Sequence, residues 1–270
     1  MYFVKTTDEV NLAVYDLNPK GKRTILLIHG WPLSHLIFEY QLEMLLSENW
    51  RVVTVDLRGF GNSDVPAGGY SYDQLAEDIY RVICALRLDR FVLAGFSMGG
   101  SVALRYMNRF QGYGVRRLIL LSAASPCFVR SCECPFGLDR EDVNEMIEEA
   151  ASDRPSFVRN FSHNQLFACC HSDAALDWFE KIALSASGIA TVQCGLTLRD
   201  DDGREDLECV CVHTAIIHGG RDQVVPVEMA RYQQEHIRSA SLCILENSGH
   251  GIFYDEPDCF NDVFLQALEQ

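Results

Sequence analysis

Three residue types, in a fixed order along the chain, could carry out nucleophilic acyl chemistry. Gly95-Phe96-Ser97-Met98-Gly99 is a G-x-S-x-G pattern. Glycine and serine are common, so the pattern alone says little. Its context gives it weight, because it follows the β-type run FVLA and precedes the helical run SVALRYM. A sharp strand-to-helix turn strains the serine backbone and lifts its hydroxyl above the sheet. Flanking glycines are needed where strand and helix approach that closely. The N-terminus of the following helix adds partial positive charge where an oxyanion would develop. The competing reading is an ordinary Gly/Ser turn, and Ser97 is the expected nucleophile.

A serine hydroxyl needs a base beside it and a carboxylate to orient that base. His250, in Asn247-Ser248-Gly249-His250-Gly251, follows the last strand signal. Asp222, in Gly219-Gly220-Arg221-Asp222, follows the run HTAIIH and lies 28 residues earlier (250 − 222). One helix and one strand separate them, so both should occupy loops at the C-terminal edge of a parallel sheet, the edge that also carries Ser97. Of the other histidines, His213 and His218 bracket a buried strand and read as structural. His35 and His236 fall on predicted helices, and His163 and His171 in a helical segment without strands.

His29-Gly30-Trp31-Pro32 follows the run TILLI. A loop there can give one amide to a tetrahedral oxyanion, and the residue after the nucleophile gives the other. The expected donors are Trp31 and Met98. Pro32 has no N–H to give and biases Trp31 towards extended backbone. The side chains of Trp31, Pro32 and Phe96 are expected to shape a mostly apolar pocket. His29 reads as structural.

The elements that must position these groups alternate. Strand signals occur at about 10–15, 24–28, 51–56, 91–95 and 116–121. Several are unbroken apolar runs, the mark of parallel strands buried on both faces. Helical stripes lie between them: Phe38, Leu42, Leu45 and Leu46, then Leu75, Ile79, Val82, Ile83 and Leu86 behind a Ser71/Asp73 capping region. This order implies βαβ units and an α/β fold. From 126 to 208 no strand is legible, and the stripes Val143/Met146/Ile147/Ala150 and Leu176/Phe179/Ile182/Ala183 predict helices. The expectation is one α/β core, 1–125 and 209–270, with 126–208 as a helical cap inserted in the same domain. The acidic run Arg199–Asp206 reads as an exposed return linker, with Asp200–Asp202 as solvated charge. Strand signals resume at 213–218 and 241–245, and Phe260, Val263, Phe264 and Leu268 predict a closing helix.

Taken together, HGWPLS (29–34), DLRGFGNSD (56–64), GFSMGG (95–100), IHGGRDQVVP (217–226) and NSGHGIFYDEP (247–257) resemble the aryl-esterase and cofactor-free haloperoxidase (perhydrolase) group of α/β-hydrolases. The resemblance runs along the core in order and is poorest over 126–208. It implies an α/β-hydrolase fold with a mostly parallel sheet of about eight strands and a helical cap after the sixth. It also implies hydrolysis of small aryl or alkyl esters or lactones, without metal or cofactor. In the haloperoxidase-like branch a proline follows the oxyanion tryptophan, as Pro32 does here, and peracids form from carboxylic acids and hydrogen peroxide. Dehalogenase and epoxide-hydrolase relatives place Asp where this chain has Ser97. Two other readings stay open: carbon–carbon bond hydrolysis on the same scaffold, and a non-catalytic ligand-binding protein.

Composition narrows the partners. The 270 residues carry a formal charge of −15, which disfavours nucleic acid and anionic membranes. No leader-like N-terminus and no apolar run of about 18 residues is present, so the expectation is a cytoplasmic protein acting on a small-molecule acyl substrate. Oligomeric state stays open. The 11 cysteines are expected to be mostly reduced and buried. Cys132/Cys134, Cys169/Cys170 and Cys209/Cys211 lack CxxC spacing, so no metal is expected.

Overall fold

The computed structural model describes residues 1–269. The chain runs β1 (Tyr2–Lys5), β2 (Asn11–Leu17), β3 (Arg23–Ile28), a 3₁₀ turn (His35–Phe38), α1 (Glu39–Ser47), β4 (Trp50–Val55), α2 (Tyr72–Leu86), β5 (Phe91–Phe96), α3 (Met98–Arg109) and β6 (Val115–Leu121). Helices then follow without a strand: α4 (Arg140–Ser152), α5 (Arg154–Asn160), a π turn (Phe161–Gln165), α6 (Asp173–Leu184), α7 (Gly188–Asp200) and α8 (Arg204–Glu208). The chain closes with β7 (Thr214–Gly219), α9 (Val227–His236), β8 (Ala240–Leu245), α10 (Ile252–Asp255) and α11 (Pro257–Glu269).

The eight strands form one sheet in the order β1-β2-β4-β3-β5-β6-β7-β8. β1 and β2 pair antiparallel, as do β2 and β4, and every later pair is parallel. Every residue of β5 and β7 is buried, which is why neither alternates polar with apolar residues, although β7 also buries Thr214 and His218. α2 buries Leu75, Ala76, Ile79, Val82 and Ile83, and the Ser71 hydroxyl accepts the Gln74 amide at its start. Four of the five predicted stripe residues are thus buried, with Leu86 half-buried, behind the predicted cap. β1 left no legible signal, since only Val4 of its four residues is buried.

The segment 56–64 is held by buried charge. The Arg58 side chain is fully buried and bonds both oxygens of Asp78 at 2.6 Å and both of Asp8 at 2.8 and 3.0 Å. A buried charge left alone is costly, and two carboxylates in good geometry offset that cost.

Two expectations need correction. The run Arg199–Asp206 is not an exposed linker. It spans the end of α7 and the start of α8, and Asp206 is buried. Arg105 of α3 binds Asp206 at 2.8 Å and Asp201 at 3.0 Å, so these two are the counter-charge of one part-buried arginine, while Asp200 and Asp202 stay exposed as solvated charge. The cysteines are all free, but only Cys127, Cys134 and Cys194 are buried, while six are exposed. No helix among the described residues is long and apolar enough to cross a membrane.

Candidate active site

β5 ends at Phe96 and α3 begins at Met98, so Ser97 alone makes the turn. Its backbone has φ 53° and ψ −122°, a conformation an L-residue holds only when its surroundings enforce it. They do so here by hydrogen bonding. The Ser97 amide donates to Leu121 O at 2.9 Å, and its carbonyl accepts from Gly100 at 2.9 Å and Ala124 at 3.1 Å. β3 pairs with β5 so that Ile28 lies opposite Gly95, which brings the loop after β3 against this turn. A Cβ on Gly30 would lie 2.7 Å from the Ser97 Cβ and 2.9 Å from Phe96 Cδ1. On the other side of the same contact, a Cβ on Gly99 would run into the carbonyl oxygens of Ile28 and His29.

β7 and β8, neighbours in the sheet, deliver Asp222 and His250 respectively. His250 Nδ1 lies 2.7 Å from Asp222 Oδ2, and both side chains are essentially without solvent exposure. The other carboxylate oxygen, Oδ1, accepts the amides of Val224 and Val225, each at 2.8 Å. Burial favours a neutral Asp222, but the His250 and His218 rings and the Val225 amide outweigh it, and the carboxyl titrates below its ordinary range. An ionised Asp222 takes a proton-bearing Nδ1, which leaves Nε2 of His250 as the basic nitrogen. That Nε2 is buried and has no hydrogen-bond partner. The imidazole packs beside the turn, its centroid 4.8 Å from the Phe96 ring. His218 is structural as expected, donating from Nε2 to Val225 O at 2.9 Å, with burial pushing its pKa down.

Within 29–34, His29 is fully buried. Its Nε2 accepts the Leu57 amide at 3.0 Å and its Nδ1 donates to Gly30 O at 2.9 Å. Burial pushes the His29 pKa down to about 4. Between that value and the ordinary 6.5, only the unfolded chain takes up this proton, so stability falls as pH drops through that window. The expected result in scanning calorimetry is a Tm that declines from pH 7.5 to pH 5, with a smaller decline in His29→Gln. Equal declines would remove His29 as a cause.

The Trp31-Pro32 peptide is cis. The Trp31 and Pro32 side chains are buried, and the indole Nε1 donates to Thr191 O of α7 at 2.8 Å and stacks obliquely on Phe157 of α5 at 5.2 Å. Among the described residues the main-chain amides of Trp31 and Met98 donate to nothing. The structure therefore gathers Trp31, Pro32, Phe96, Ser97, Met98 and His250 at one edge of the sheet, with Asp222 behind the imidazole.

The sequence did not single out Thr191, or Asp255, which lies in the quoted segment 247–257 without an assigned role. Nor did it single out the cluster His163, Asp177 and Glu180, whose ligand-type atoms lie within 4.8 Å of one another. Glu180 also binds Arg159 at 3.2 Å and lies 3.0 Å from His163 Nε2, so this carboxylate already has a cationic partner.

A sheet of this order, with a strained serine at the β5 turn and a buried imidazole–carboxylate pair after β8 and β7, defines the hydrolases built on a doubly wound α/β scaffold. A family model described as alpha/beta hydrolase fold matches residues 23–257, and the chain belongs to that family. It is 41% identical to an AB hydrolase superfamily protein, YisY, of Bacillus subtilis, over 98% of each chain. An esterase from Exiguobacterium antarcticum superposes with TM-score 0.96 at 38% identity, over 100% of this chain and 99% of that one. A bromoperoxidase from Bacillus anthracis superposes with TM-score 0.94 at 30% identity, over 99% of each. These relatives place the chain among the esterase- and perhydrolase-like hydrolases.

Proposed function

We propose that the protein cleaves small carboxylic esters, aryl or alkyl esters and lactones, through an acyl-enzyme on Ser97. Ser97 Oγ attacks the acyl carbon while His250 Nε2 takes its proton, and Asp222 stabilises the imidazolium. The Met98 and Trp31 amides hold the oxyanion. The imidazolium then protonates the leaving alcohol, and His250 draws a proton from water for deacylation. Perhydrolysis uses the same acyl-enzyme with hydrogen peroxide in place of water, giving a peracid and free Ser97. The likeness to a bromoperoxidase supports this second activity.

The observation that carries the reading is the orphaned Nε2 of His250, buried beside the Ser97 turn with its tautomer set by Asp222. Before substrate binds, catalytic hydrogen bonds are often long. A fluorophosphonate probe followed by peptide mapping tests it, with Ser97 as the expected adduct. Folded protein that takes no label would favour a binding protein.

The same proposal makes 126–208 a cap. Thr191 and Phe157 hold the Trp31 indole from the insertion side, and Ser97 is 5% exposed, so acyl groups must be small or the helices must shift to admit them. Gly30 gives a further expectation. In Gly30→Ala the new Cβ would push the oxyanion loop off Ser97, and kcat for p-nitrophenyl acetate should fall about 100-fold. Unchanged kcat would show that this close approach is dispensable.

A further inference from the structure

We infer that Asp255 is a positioning residue for His250, acting by tying the loop after β8 to residues 166–171 of the helical insertion. The inference rests on the serine-hydrolase reading and adds to it a residue that touches no substrate.

The Asp255 carboxylate is fully buried and accepts four hydrogen bonds. Its Oδ2 takes the amides of Gly249 at 2.6 Å and Ala168 at 2.9 Å. Its Oδ1 takes the Cys169 amide at 3.0 Å and His171 Nε2 at 2.8 Å. On the other side of His250, the Gly251 amide donates to Leu166 O at 2.6 Å. Both chain neighbours of His250 are thus fastened to one six-residue span, Gly249 through the carboxylate and Gly251 directly. The side chains close the same contact: Phe167 packs on Tyr254 and His171, with centroids 5.6 and 4.8 Å away.

The imidazole itself has one hydrogen bond, to Asp222. Asp222 fixes the tautomer and the direction of Nδ1 but leaves the ring free to swing about that bond. The main chain at 249–251 supplies the remaining constraint. A carboxylate offers lone pairs on both oxygens, which four donors require. Asparagine offers them on one oxygen only, so Asp255→Asn turns an amide group against two of the four donors without changing side-chain volume. The loop must then shift, and proton transfer is sensitive to displacements of about 1 Å.

The test follows single-turnover labelling of purified full-length protein by a fluorophosphonate, together with p-nitrophenyl acetate kinetics. In Asp255→Asn the labelling rate constant and kcat should fall together by about 10- to 100-fold, with KM within about twofold and one label still taken per chain. A merely structural residue would lower the fraction of chains labelled and leave the rate constant of the remainder unchanged. That result overturns the inference, as does a labelling rate equal to wild type. If Asp255→Asn does not fold, the bond can be read from its other end. His171→Ala should slow labelling about threefold and His171→Gln, which keeps a donor, should restore it. Equal rates in all three proteins overturn the inference. Failure of the unaltered protein to label at Ser97 overturns the serine-hydrolase reading and this inference with it, whereas labelling at Ser97 with no effect of either substitution overturns this inference alone.

Discussion

Ser97→Ala should lower p-nitrophenyl ester turnover by about 10⁵-fold, the largest loss expected of any single change in this chain. The size follows from the proposed mechanism: without Oγ no acyl-enzyme would form, and only binding and oxyanion stabilisation would remain to speed attack by water. Folding should be little affected. The turn is held by main-chain bonds to Leu121, Gly100 and Ala124, all of which alanine keeps, and alanine at φ 53° is no more strained than serine. The measurement is steady-state turnover beside a thermal melt. Activity within about tenfold of wild type, in protein melting normally, would end the assignment of Ser97 as nucleophile.

Asp222→Asn should cost about 10⁴-fold in kcat, and the hydrogen bonds around it explain why so conservative a change would do so much. Oδ1 accepts two amides, from Val224 and Val225. An asparagine must keep its oxygen there, because its NH₂ group would face two donors. The NH₂ therefore points at His250 Nδ1, now 2.7 Å from a donor where an acceptor had been. Nδ1 must become the bare nitrogen and Nε2 must carry the proton. In that tautomer the imidazole has nothing with which to accept a proton from Ser97. Fluorophosphonate labelling should slow in step with kcat, while KM stays near wild type. A loss of less than tenfold would mean that the imidazole does not depend on Asp222 for its tautomer.

How much of this was readable in advance depended on the kind of signal each residue leaves. β3, β5, β6 and β7 declared themselves by unbroken apolar stretches such as ILLI, FVLA, LILL and AII, which strands buried on both faces carry. β1 did not, because an edge strand with one buried side chain looks like any short loop. Ser97 was legible because the strand-turn-helix pattern around it is local, and Gly95 is needed by contact with Gly99 and Gly100, although Gly99 answers to Ile28 and His29 far earlier in the chain. His250 and Asp222 were legible because loops after parallel strands share an edge. Asp255 and Thr191 were not, because three of the four Asp255 partners are 84 to 87 residues away and the indole that Thr191 holds is 160 away, and nothing in residue type marks an aspartate that accepts four bonds or a threonine that lends its carbonyl. Asp201 and Asp206 in the run 199–206 misled for a related reason: acidic residues usually signify solvent, and the arginine that claims these two lies about a hundred positions earlier.

The near-contact between Gly30 and the Ser97 Cβ divides this molecule into a part that can be re-engineered and a part that cannot. A side chain added at position 30 would meet Ser97 directly, so on the proposed mechanism an attempt to narrow substrate choice there would damage the chemistry as well. Phe157 and Thr191 touch the indole of Trp31 and not Ser97 itself, so changes there would act on the nucleophile only through the indole. Variation in scope among laboratory-evolved versions should therefore accumulate around that indole and leave position 30 as glycine.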